Sequence, residues 1–278
     1  MSPQRDAERA PLLQNASHDS SSSNYEELVQ FDKNGDDDNP REWPQSRKYI
    51  QVLQIFILAF VCPMASSVFA PAADAMAEDL GSSQKLVLGG QAGFVCMLGI
   101  GPLFLAPMSE TFGRRNLFVW NLAIFTLFQI PTALAPNAPT FIVMRTLSGF
   151  FGSVGVANGG GSIQDMFETH ERAPVLGIYL IAPLLAPSFG SFIGAVMIAN
   201  VNWRWIFWFV MILSGVVTTM CYFFLYETNA VTILLYRKQR LQDKHPDMEY
   251  KVDGASDQSI PKKIAQVCLL HDRARSKN

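Results

Sequence analysis

The chain has 278 residues, of which 49% are hydrophobic and 17% charged, and its formal net charge is −2. That balance gives no sign of a polyanionic partner such as nucleic acid. Most of the charged side chains lie in segments 1–48 and 227–278, whereas 49–226 is nearly free of charge. A soluble domain spreads charge over its surface, because most of its elements keep one face in water. The distribution therefore indicates a membrane environment for the middle of the chain.

Six apolar runs are long enough to cross a bilayer, which takes ~20 residues of helix. The runs without any charged residue are Tyr49–Ala73, Leu86–Ser109, Ala173–Trp203 and Trp205–Tyr226. Between residues 116 and 164 only Arg145 is charged, and a Pro-Asn-Ala-Pro sequence at 136–139 divides that length in two. The predicted spans are 49–71, 86–107, 116–135, 140–161, 175–197 and 205–226.

The two ends of the chain differ in composition from the predicted spans. Residues 1–45 include four consecutive serines and three consecutive aspartates, which is typical of a disordered tail. Residues 46–230 are predicted to form the transmembrane domain. Residues 231–278 are predicted to form a second polar tail, which starts with basic side chains.

The distribution of lysine and arginine predicts how the chain is oriented. If the N-terminus is cytosolic, only Lys85 and Arg204 lie near the spans on the opposite side. The basic residues on the cytosolic side are then Arg41, Arg47, Lys48, Arg114, Arg115, Arg172, Arg237, Lys238, Arg240 and Lys244. Cytoplasmic loops carry the excess of basic residues in membrane proteins, so both termini are expected to be cytosolic.

Residue types that carry enzyme chemistry or bind metals are not arranged for either purpose. Cys62, Cys96 and Cys221 lie within predicted spans, so no disulfide framework is expected. No histidine has a metal-ligand spacing with cysteine or carboxylate. The chain also lacks a G-x-x-x-x-G-K-[ST] phosphate loop and an H-E-x-x-H motif. We therefore predict neither an enzyme nor a resident metal or cofactor.

Arg145 is the only ionisable residue deep within a predicted span. A charge there costs ~2.5–3.5 kcal/mol on insertion scales, and such residues usually face a cavity or a partner. The alternative is that its side chain reaches the outer interface. Glycines follow at 149, 152, 155 and 159, and this spacing predicts a smooth strip along one face, where another helix can approach closely.

The fifth span combines two helix breakers with small residues. Pro183 and Pro187 each remove a backbone donor and favour a kink. Small residues at 182, 186, 190, 191 and 194 predict a flexible packing seam on this helix.

The loop between the second and third spans reads APMSETFGRRN over 106–116. Glu110 and Arg114 are four residues apart and would pair in a helical turn, while Gly113 would let the backbone turn sharply. Asp165 ends the fourth span on the same side, so it is placed to meet these charges. A loop whose arginines only set the topology is an equally consistent interpretation of the composition.

Together these motifs resemble those of the major facilitator superfamily. Residues 106–115 are similar to that family's loop between helices 2 and 3, with the pattern G-x-L-x-D-r-x-G-R-R. The sequence from Arg145 to Gly149 resembles its helix 4 motif, and 182–190 resembles its helix 5 antiporter motif. The segments 39–43 and 203–207 look like those of the fungal drug:proton antiporters with twelve helices. The resemblance covers about residues 39–242.

The resemblance implies an all-α membrane protein, in which six transmembrane helices form one half of the family's fold as a 3+3 inverted repeat. It also implies alternating access and three groups of site residues. The first group is a gating charge cluster and consists of Glu110, Gly113, Arg114, Arg115 and Asp165. The second group takes part in proton coupling and consists of Arg145 and Gly149. The third group bends helix 5 and consists of Pro183, Pro187 and Gly190.

The chain departs from the family pattern in three respects. Ala106 replaces the first glycine of the loop motif, and Ala182, Ala186 and Ser191 replace glycines of the helix 5 motif. No carboxylate lies within the membrane core of a predicted span. The family also has a second six-helix half, so our hypothesis is a truncated gene model or an early stop.

The resulting functional hypothesis is proton-coupled export of drugs or of small organic cations such as polyamines. The expected location is the plasma membrane, with the vacuolar membrane as the alternative. The expected partners are the bilayer, a small-molecule substrate, protons, and a second six-helix half or a homodimer mate. The alternative function is a non-transporting membrane protein, either a remnant or a partner of full-length relatives. Gln54, Gln91, Asn121 and Asn158 are the candidates for the substrate cavity, because they are polar residues within spans.

Overall fold

The computed structural model describes residues 26–31, 36–244 and 249–252. Six helical segments in this part of the chain are long and apolar enough to cross a membrane. Their bounds are Gln45–Asp79, Gln84–Phe112, Arg114–Ala133, Ala138–Met166, Arg172–Ile198 and Arg204–Phe224. Each contains one of the predicted spans or most of it, so the predicted all-helical membrane architecture is confirmed.

The individual elements subdivide two of these segments. The elements are β1 (Glu26–Val29), α1 (Gln45–Ser67), α2 (Ala73–Asp79), α3 (Gln84–Phe112), α4 (Arg114–Ala133), α5 (Ala138–Gly152), α6 (Val154–Met166), α7 (Arg172–Ile198), α8 (Arg204–Phe224), α9 (Ala230–Lys244) and β2 (Glu249–Val252). A short 3₁₀ turn connects α1 to α2, and Ser153 separates α5 from α6 within the fourth segment.

Local sequence explains where several helices begin. The side chain of Ser83 accepts a hydrogen bond from the Leu86 amide at the start of α3. The side chain of Asn137 accepts one from the Thr140 amide at the start of α5, at 3.0 Å. Both residues satisfy amides that a helix terminus would otherwise leave without a partner.

Helix α1 lies at the centre of the bundle, and α3 and α7 are its most exposed long helices. The core consists largely of aliphatic and aromatic side chains that α1 shares with its neighbours. Leucine and phenylalanine side chains cover the outer surfaces of α3 and α7, as expected for surfaces in contact with lipid or a partner.

The glycine strip of the fourth segment meets several helices. Gly149 packs against the backbone of Phe94 on α3, whereas Gly155 packs against Leu58 on α1 and Gly159 against Tyr179 on α7. The close approach that the spacing predicts is therefore made with more than one neighbouring helix. Each step of three residues rotates the direction of the side chain by about −60°, because a helix has 3.6 residues per turn. The strip consequently turns from one neighbour to the next.

Four of the five small residues of the predicted seam on the fifth span pack closely against α1 and its C-terminal end. Ala182, Ala186, Gly190 and Gly194 are buried at a spacing of four residues. A Cβ at Gly190 would overlap the Met64 carbonyl oxygen, and Ser67 Oγ donates a hydrogen bond to the Pro187 carbonyl at 2.6 Å. Helix α7 is continuous through both prolines.

A small sheet joins the two segments predicted as tails. Strand β1 pairs in parallel with β2, with Val29 opposite Val252. Val29, Tyr250 and Val252 pack with Leu234 of α9 in a second, small apolar cluster. The described parts of 1–45 and 231–278 thus contain regular elements. These elements were not predicted from the sequence, and the remainder of both segments lies outside the described residues.

Candidate functional site

The loop between α3 and α4 is a sharp turn at Gly113. Helix α3 ends at Phe112, Gly113 has a φ of 87°, and α4 begins at Arg114. A positive φ of this kind favours glycine, which has no Cβ to clash with the backbone. Glu110 and Arg114 consequently belong to two different helices.

The predicted pair between Glu110 and Arg114 does not form. The Glu110 side chain is exposed, and no ion pair within 4.0 Å involves its carboxylate among the described residues. Its carbonyl oxygen instead accepts a hydrogen bond from Asn229 Nδ2 at 3.3 Å. The rule for residues four apart requires one continuous helix, and Gly113 interrupts it.

Arg114 pairs with Asp165, as the sequence predicted for charges meeting across helices. Arg114 Nε donates to Asp165 Oδ2 at 2.5 Å, and the two side chains are 13% and 26% exposed. Gly161, one turn before Asp165 on α6, leaves room for the guanidinium. A Cβ at this position would overlap Arg114 Nη1.

Glu227 was not predicted as a site residue, yet it is the main hydrogen-bond acceptor at the start of α4. Its carboxylate accepts hydrogen bonds from the amides of Arg114 at 3.0 Å and Arg115 at 3.1 Å. It also accepts from the amides of Thr228 at 3.1 Å and Asn229 at 3.0 Å. The first amides of a helix lack partners within it and attract negative charge, so Glu227 caps α4 from a distant part of the chain.

The carboxylate of Glu227 occupies the space that a side chain at position 113 would need. A Cβ at position 113 would lie 2.7 Å from Glu227 Oε2, so the glycine is required by space as well as by its φ angle. Burial raises the pKa of the Glu227 carboxyl above its ordinary value of 4.5, and the four backbone donors oppose that shift. The available sequence signal for Glu227 was its position as the first acidic residue after the last span.

Arg115 connects the same cluster to the end of α8. Its Nη2 donates a hydrogen bond to the Tyr222 carbonyl oxygen at 2.9 Å. Gly113, Arg114, Arg115, Asp165 and Glu227 therefore form one cluster, which we call the loop cluster. The cluster joins the α3–α4 turn to α6 and to the segment between α8 and α9.

Arg145 is fully buried inside the bundle, which excludes the alternative that it reaches the interface in this structure. Nη2 donates to the Ala65 carbonyl oxygen of α1 at 2.5 Å. The guanidinium lies 4.8 Å from the ring centroid of Phe69, 4.4 Å from that of Phe94 and 5.4 Å from that of Phe207. Cation–π contacts of this kind offset part of the cost of burying a charge. Nε and Nη1 have no hydrogen-bond partner in the described part of the chain.

The proposed cavity residues have different environments. Gln54 and Asn158 are buried, at 6% and 1% exposure, and Gln91 is half-buried. Asn121 Nδ2 donates to the Leu117 carbonyl of its own helix at 2.8 Å. The side-chain oxygen and nitrogen of Asn158 make no hydrogen bond with any described residue.

The two tryptophan-containing segments that resemble those of the fungal antiporters, 39–43 and 203–207, lie at helix ends. The Arg47 guanidinium is 4.0 Å from the ring centroid of Trp43 and 4.2 Å from that of Tyr226, so the start of α1 is joined to the end of α8. At the other end of the bundle, Arg204 Nη1 forms a 2.6 Å ion pair with Asp79 Oδ2. These contacts give both motifs a structural role.

Comparisons with known proteins agree with this architecture. Residues 55–267 match the Major Facilitator Superfamily. The chain is 35% identical over 242 residues to "Uncharacterized transporter C530.02" of Schizosaccharomyces pombe, covering 87% of this chain and 45% of that protein. It is 33% identical over 225 residues to "Efflux pump radE" of Floropilus chiversii, covering 81% and 42%. It is 36% identical over 221 residues to "Cycloheximide resistance protein" of Candida maltosa, covering 77% and 40%.

A solved structure shows the same fold. The proton:xylose symporter XylE, bound to 6-bromo-6-deoxy-D-glucose, superposes with a TM-score of 0.61 at 14% identity, over 84% of this chain and 55% of that one. The fold and the six apolar segments define a multi-pass integral membrane protein. The chain belongs to the Major Facilitator Superfamily. It spans about half the length of the curated relatives that it matches.

Proposed function

We propose that this chain takes part in the export of small organic molecules across a membrane by alternating access. The observation that carries the proposal is the loop cluster, in which one ion pair and one buried carboxylate join three separate parts of the chain at one end of the bundle. Two of the relatives are named an efflux pump and a cycloheximide resistance protein, and these names support drugs as the substrate class.

The role proposed for the loop cluster is that of a gate. The Arg114–Asp165 pair keeps the α3–α4 turn at Gly113 against α6, and Arg115 keeps it against the end of α8. The gate opens when these contacts break. A hydrogen bond to a charged group contributes about 1.5–3 kcal/mol. That energy is large enough to shift a conformational equilibrium by tenfold or more. Glu110 stays a candidate through its backbone contact with Asn229 rather than through an ion pair.

Proton coupling is proposed to depend on Arg145. Its buried guanidinium has two nitrogens without partners in the described residues, and Gly149 brings the backbone of Phe94 close to the same place. A buried charge with incomplete hydrogen bonding responds strongly to a change in neighbouring charge. Pro183, Pro187 and Gly190 are proposed to let α7 bend against α1 during the same transition.

The proposed partners are protons, a small-molecule substrate and a second six-helix body, which is either the family's second half or a second copy of this chain. The exposed leucine and phenylalanine side chains of α3 and α7 support such a partner. Both termini are proposed to be cytosolic, in the plasma membrane.

Transport by reconstituted protein tests this proposal. The purified chain is placed in proteoliposomes with a pH gradient, alone and together with the second half of a full-length relative. Labelled cycloheximide and labelled spermidine are followed separately, to represent drugs and polyamines. Exchange of either substrate in either preparation is the expected result, and its absence from both preparations for both substrates overturns the proposal.

A matched pair of variants then tests the gate. Gly161→Ala forces the Arg114 guanidinium away from Asp165, and it does so cheaply because the overlapping atom ends a flexible side chain. Gly160→Ala meets only Leu176 Cδ2, at an ordinary 3.8 Å. We expect Gly161→Ala to change the exchange rate by about tenfold, on the scale of one charge-assisted hydrogen bond. Gly160→Ala should match the wild type, and equal rates for both variants would contradict the gating role.

A further inference from the structure

Helix α9 packs against the loop between α3 and α4. Asn116 Nδ2, in the first turn of α4, donates a hydrogen bond to Tyr236 Oη of α9 at 3.3 Å. Thr232 of α9 is 5% exposed, and a Cβ at Gly113 would lie 3.1 Å from its Cγ2. One side of α9 is therefore in contact with the α3–α4 turn, where the loop cluster lies.

The part of the chain that precedes α1 also contacts α9. Arg237 Nη1 forms a 2.6 Å ion pair with Asp36 Oδ2, and the two side chains are 31% and 8% exposed. Val29 of β1 packs with Leu234 of α9 in the small apolar cluster, against which Leu241 also packs. Helix α9 is thus in contact with residues from both ends of the described chain.

These two sets of contacts lie on different sides of α9. A helix rotates by about 100° per residue, because it has 3.6 residues per turn. Thr232 and Tyr236 are four residues apart and share one side. Leu234, Arg237 and Leu241 share a second side, which is rotated from the first by roughly 150°. Helix α9 is therefore held between the α3–α4 turn and the segment before α1.

A closed turn over residues 36–43 fixes the position of Asp36. The Asp36 amide donates a hydrogen bond to Glu42 Oε2 at 3.0 Å. Trp43 follows directly, and the centroid of its ring lies 4.0 Å from the Arg47 guanidinium at the start of α1. Asp36 is consequently linked to the six-helix bundle as well as to α9. We call β1 and this turn the strap.

The contacts between the strap and α9 are of modest strength. Strands β1 and β2 have four residues each and pair in parallel, and a sheet of only two strands is marginally stable. Water and salt weaken the ion pair, because about a third of its arginine side chain is exposed. Segments held in this way open at low cost, and elements that move in regulation are drawn from them.

Movement of α9 would reach the loop cluster through Glu227. This residue lies three positions before α9, and Asn229 between them accepts a hydrogen bond from the Thr232 amide at 3.2 Å. Glu227 is therefore joined closely to the start of α9. Displacement of α9 would draw its carboxylate away from the amides of Arg114 and Arg115, which donate to it.

We propose that the strap is a regulatory device that holds α9 against the α3–α4 turn and thereby stabilises the closed gate. While Asp36 binds Arg237 and β1 pairs with β2, the Glu227 carboxylate stays on the first amides of α4. When the strap leaves α9, the loop cluster loses this carboxylate and the gate opens more readily. The effect on transport rests on the proposed function, whereas the hold of the strap on α9 does not.

Thiol labelling at position 232 tests the strap without requiring transport. Thr232→Cys is introduced into the 278-residue chain with Cys96→Ser and Cys268→Ser, and labelling by a maleimide is followed in lipid nanodiscs. We expect Asp36→Asn and Arg237→Gln each to raise the labelling rate by about threefold to tenfold. That range lies between the scale of an exposed ion pair and that of a charge-assisted hydrogen bond. The double variant should label no faster than the single ones.

Asp37→Asn is the matched control, because it removes the same charge from an exposed side chain one position away. It should leave the labelling rate at position 232 unchanged. The buried Cys62 and Cys221 report on the bundle itself and should stay unlabelled. Unchanged labelling at 232 in both ion-pair variants, or an equal rise in the control, would overturn the inference. So would a simultaneous rise at Cys62 and Cys221, which would show that the whole bundle opens.

Exchange in proteoliposomes tests the link to the gate. Asp36→Asn is expected to change the exchange rate in the same direction as Gly161→Ala, because both variants weaken the loop cluster. Unchanged exchange in a variant whose position 232 labels faster would overturn the regulatory role. If the wild type transports nothing while labelling responds as expected, the hold of the strap on α9 is supported and the proposed function fails.

Discussion

At the residue scale, the clearest feature is the capping of helix α4 by the side chain of Glu227. This residue lies 113 positions after Arg114 and accepts a hydrogen bond from the Arg114 amide. Gly113 has no side chain to cap α4, and Glu227 accepts the hydrogen bonds that a local serine or aspartate would accept elsewhere. Replacing Gly113 would strain its positive φ and also displace the Glu227 carboxylate. The two residues therefore constrain each other.

The raised pKa of Glu227 predicts an unusual pH dependence. As the pH falls from neutrality towards the ordinary glutamate pKa of 4.5, the folded state binds this proton before the unfolded state does. The carboxyl then stabilises the fold more at acidic than at neutral pH. Glu227→Gln has no such proton, so the melting temperature of the wild type minus that of the variant is expected to increase as the pH is lowered.

The measurement is a set of melting curves in detergent across that pH range. Glu110→Gln is the matched control, because the Glu110 side chain is exposed and accepts neither of the α4 amide hydrogen bonds that Glu227 accepts. Its melting temperature should follow that of the wild type at every pH. A difference between the wild type and Glu227→Gln that shrinks on acidification would show that hydrogen bonding outweighs burial at this carboxyl.

At the scale of elements, glycine and alanine decide how closely helices approach. The seam of α7 lets the backbone of α1 come within contact distance at Gly190 and at Gly194. The oxygen atoms that a new Cβ would meet are the carbonyls of Met64 and Val68. Backbone carbonyls cannot rotate away as the end of a side chain can, so the two helices would have to separate.

Gly190→Ala is therefore expected to destabilise the bundle. Overpacking of this kind costs about 1–3 kcal/mol, which corresponds to a drop in melting temperature of roughly 2–12 °C for a chain of this size. Gly177→Ala, on the same helix, places its Cβ where no heavy atom lies within 4 Å, and it should be neutral or slightly stabilising. Equal melting temperatures for the two variants would disprove the close packing of α7 on α1.

The fourth helical segment shows the limit of reading helices from apolar runs. Its apolar length predicted one helix, and the structure divides it into α5 and α6 at Ser153. Ser153 is buried, and its hydroxyl donates to the Phe150 carbonyl at 2.7 Å. A Cβ at Gly101 of α3 would overlap this hydroxyl. The interruption therefore lies at a close contact with α3, which local composition does not reveal.

At the scale of the whole molecule, the orientation proposed from basic residues can be tested directly. Gln84→Cys and Thr169→Cys place exposed thiols near opposite ends of the bundle, at the start of α3 and in the loop after α6. With a cytosolic N-terminus, a membrane-impermeant maleimide should label position 84 in intact cells and position 169 only after permeabilisation.

The wild-type chain is the control for this labelling, because it carries its own cysteines. Cys62 and Cys221 are buried, and Cys96 is exposed within α3. Labelling of position 169 but not 84 in intact cells would reverse the proposed topology. The loop cluster would then lie on the outer side of the membrane.

The sequence by itself determined the six spans and the meeting of Arg114 with Asp165. Long uncharged runs are favourable only in the apolar core of a bilayer. The order of the spans places Arg114 and Asp165 on the same side of the membrane. The tertiary structure decided the partners of individual side chains. Glu227, and not Glu110, contacts the start of α4, and the glycine strip packs against several helices. Among the described residues, the side chain of Asn158 has no hydrogen-bond partner. Such contacts depend on how each helix is rotated about its axis and on which distant residues it meets. Neither the residue spacing nor the composition of the sequence determines these two quantities.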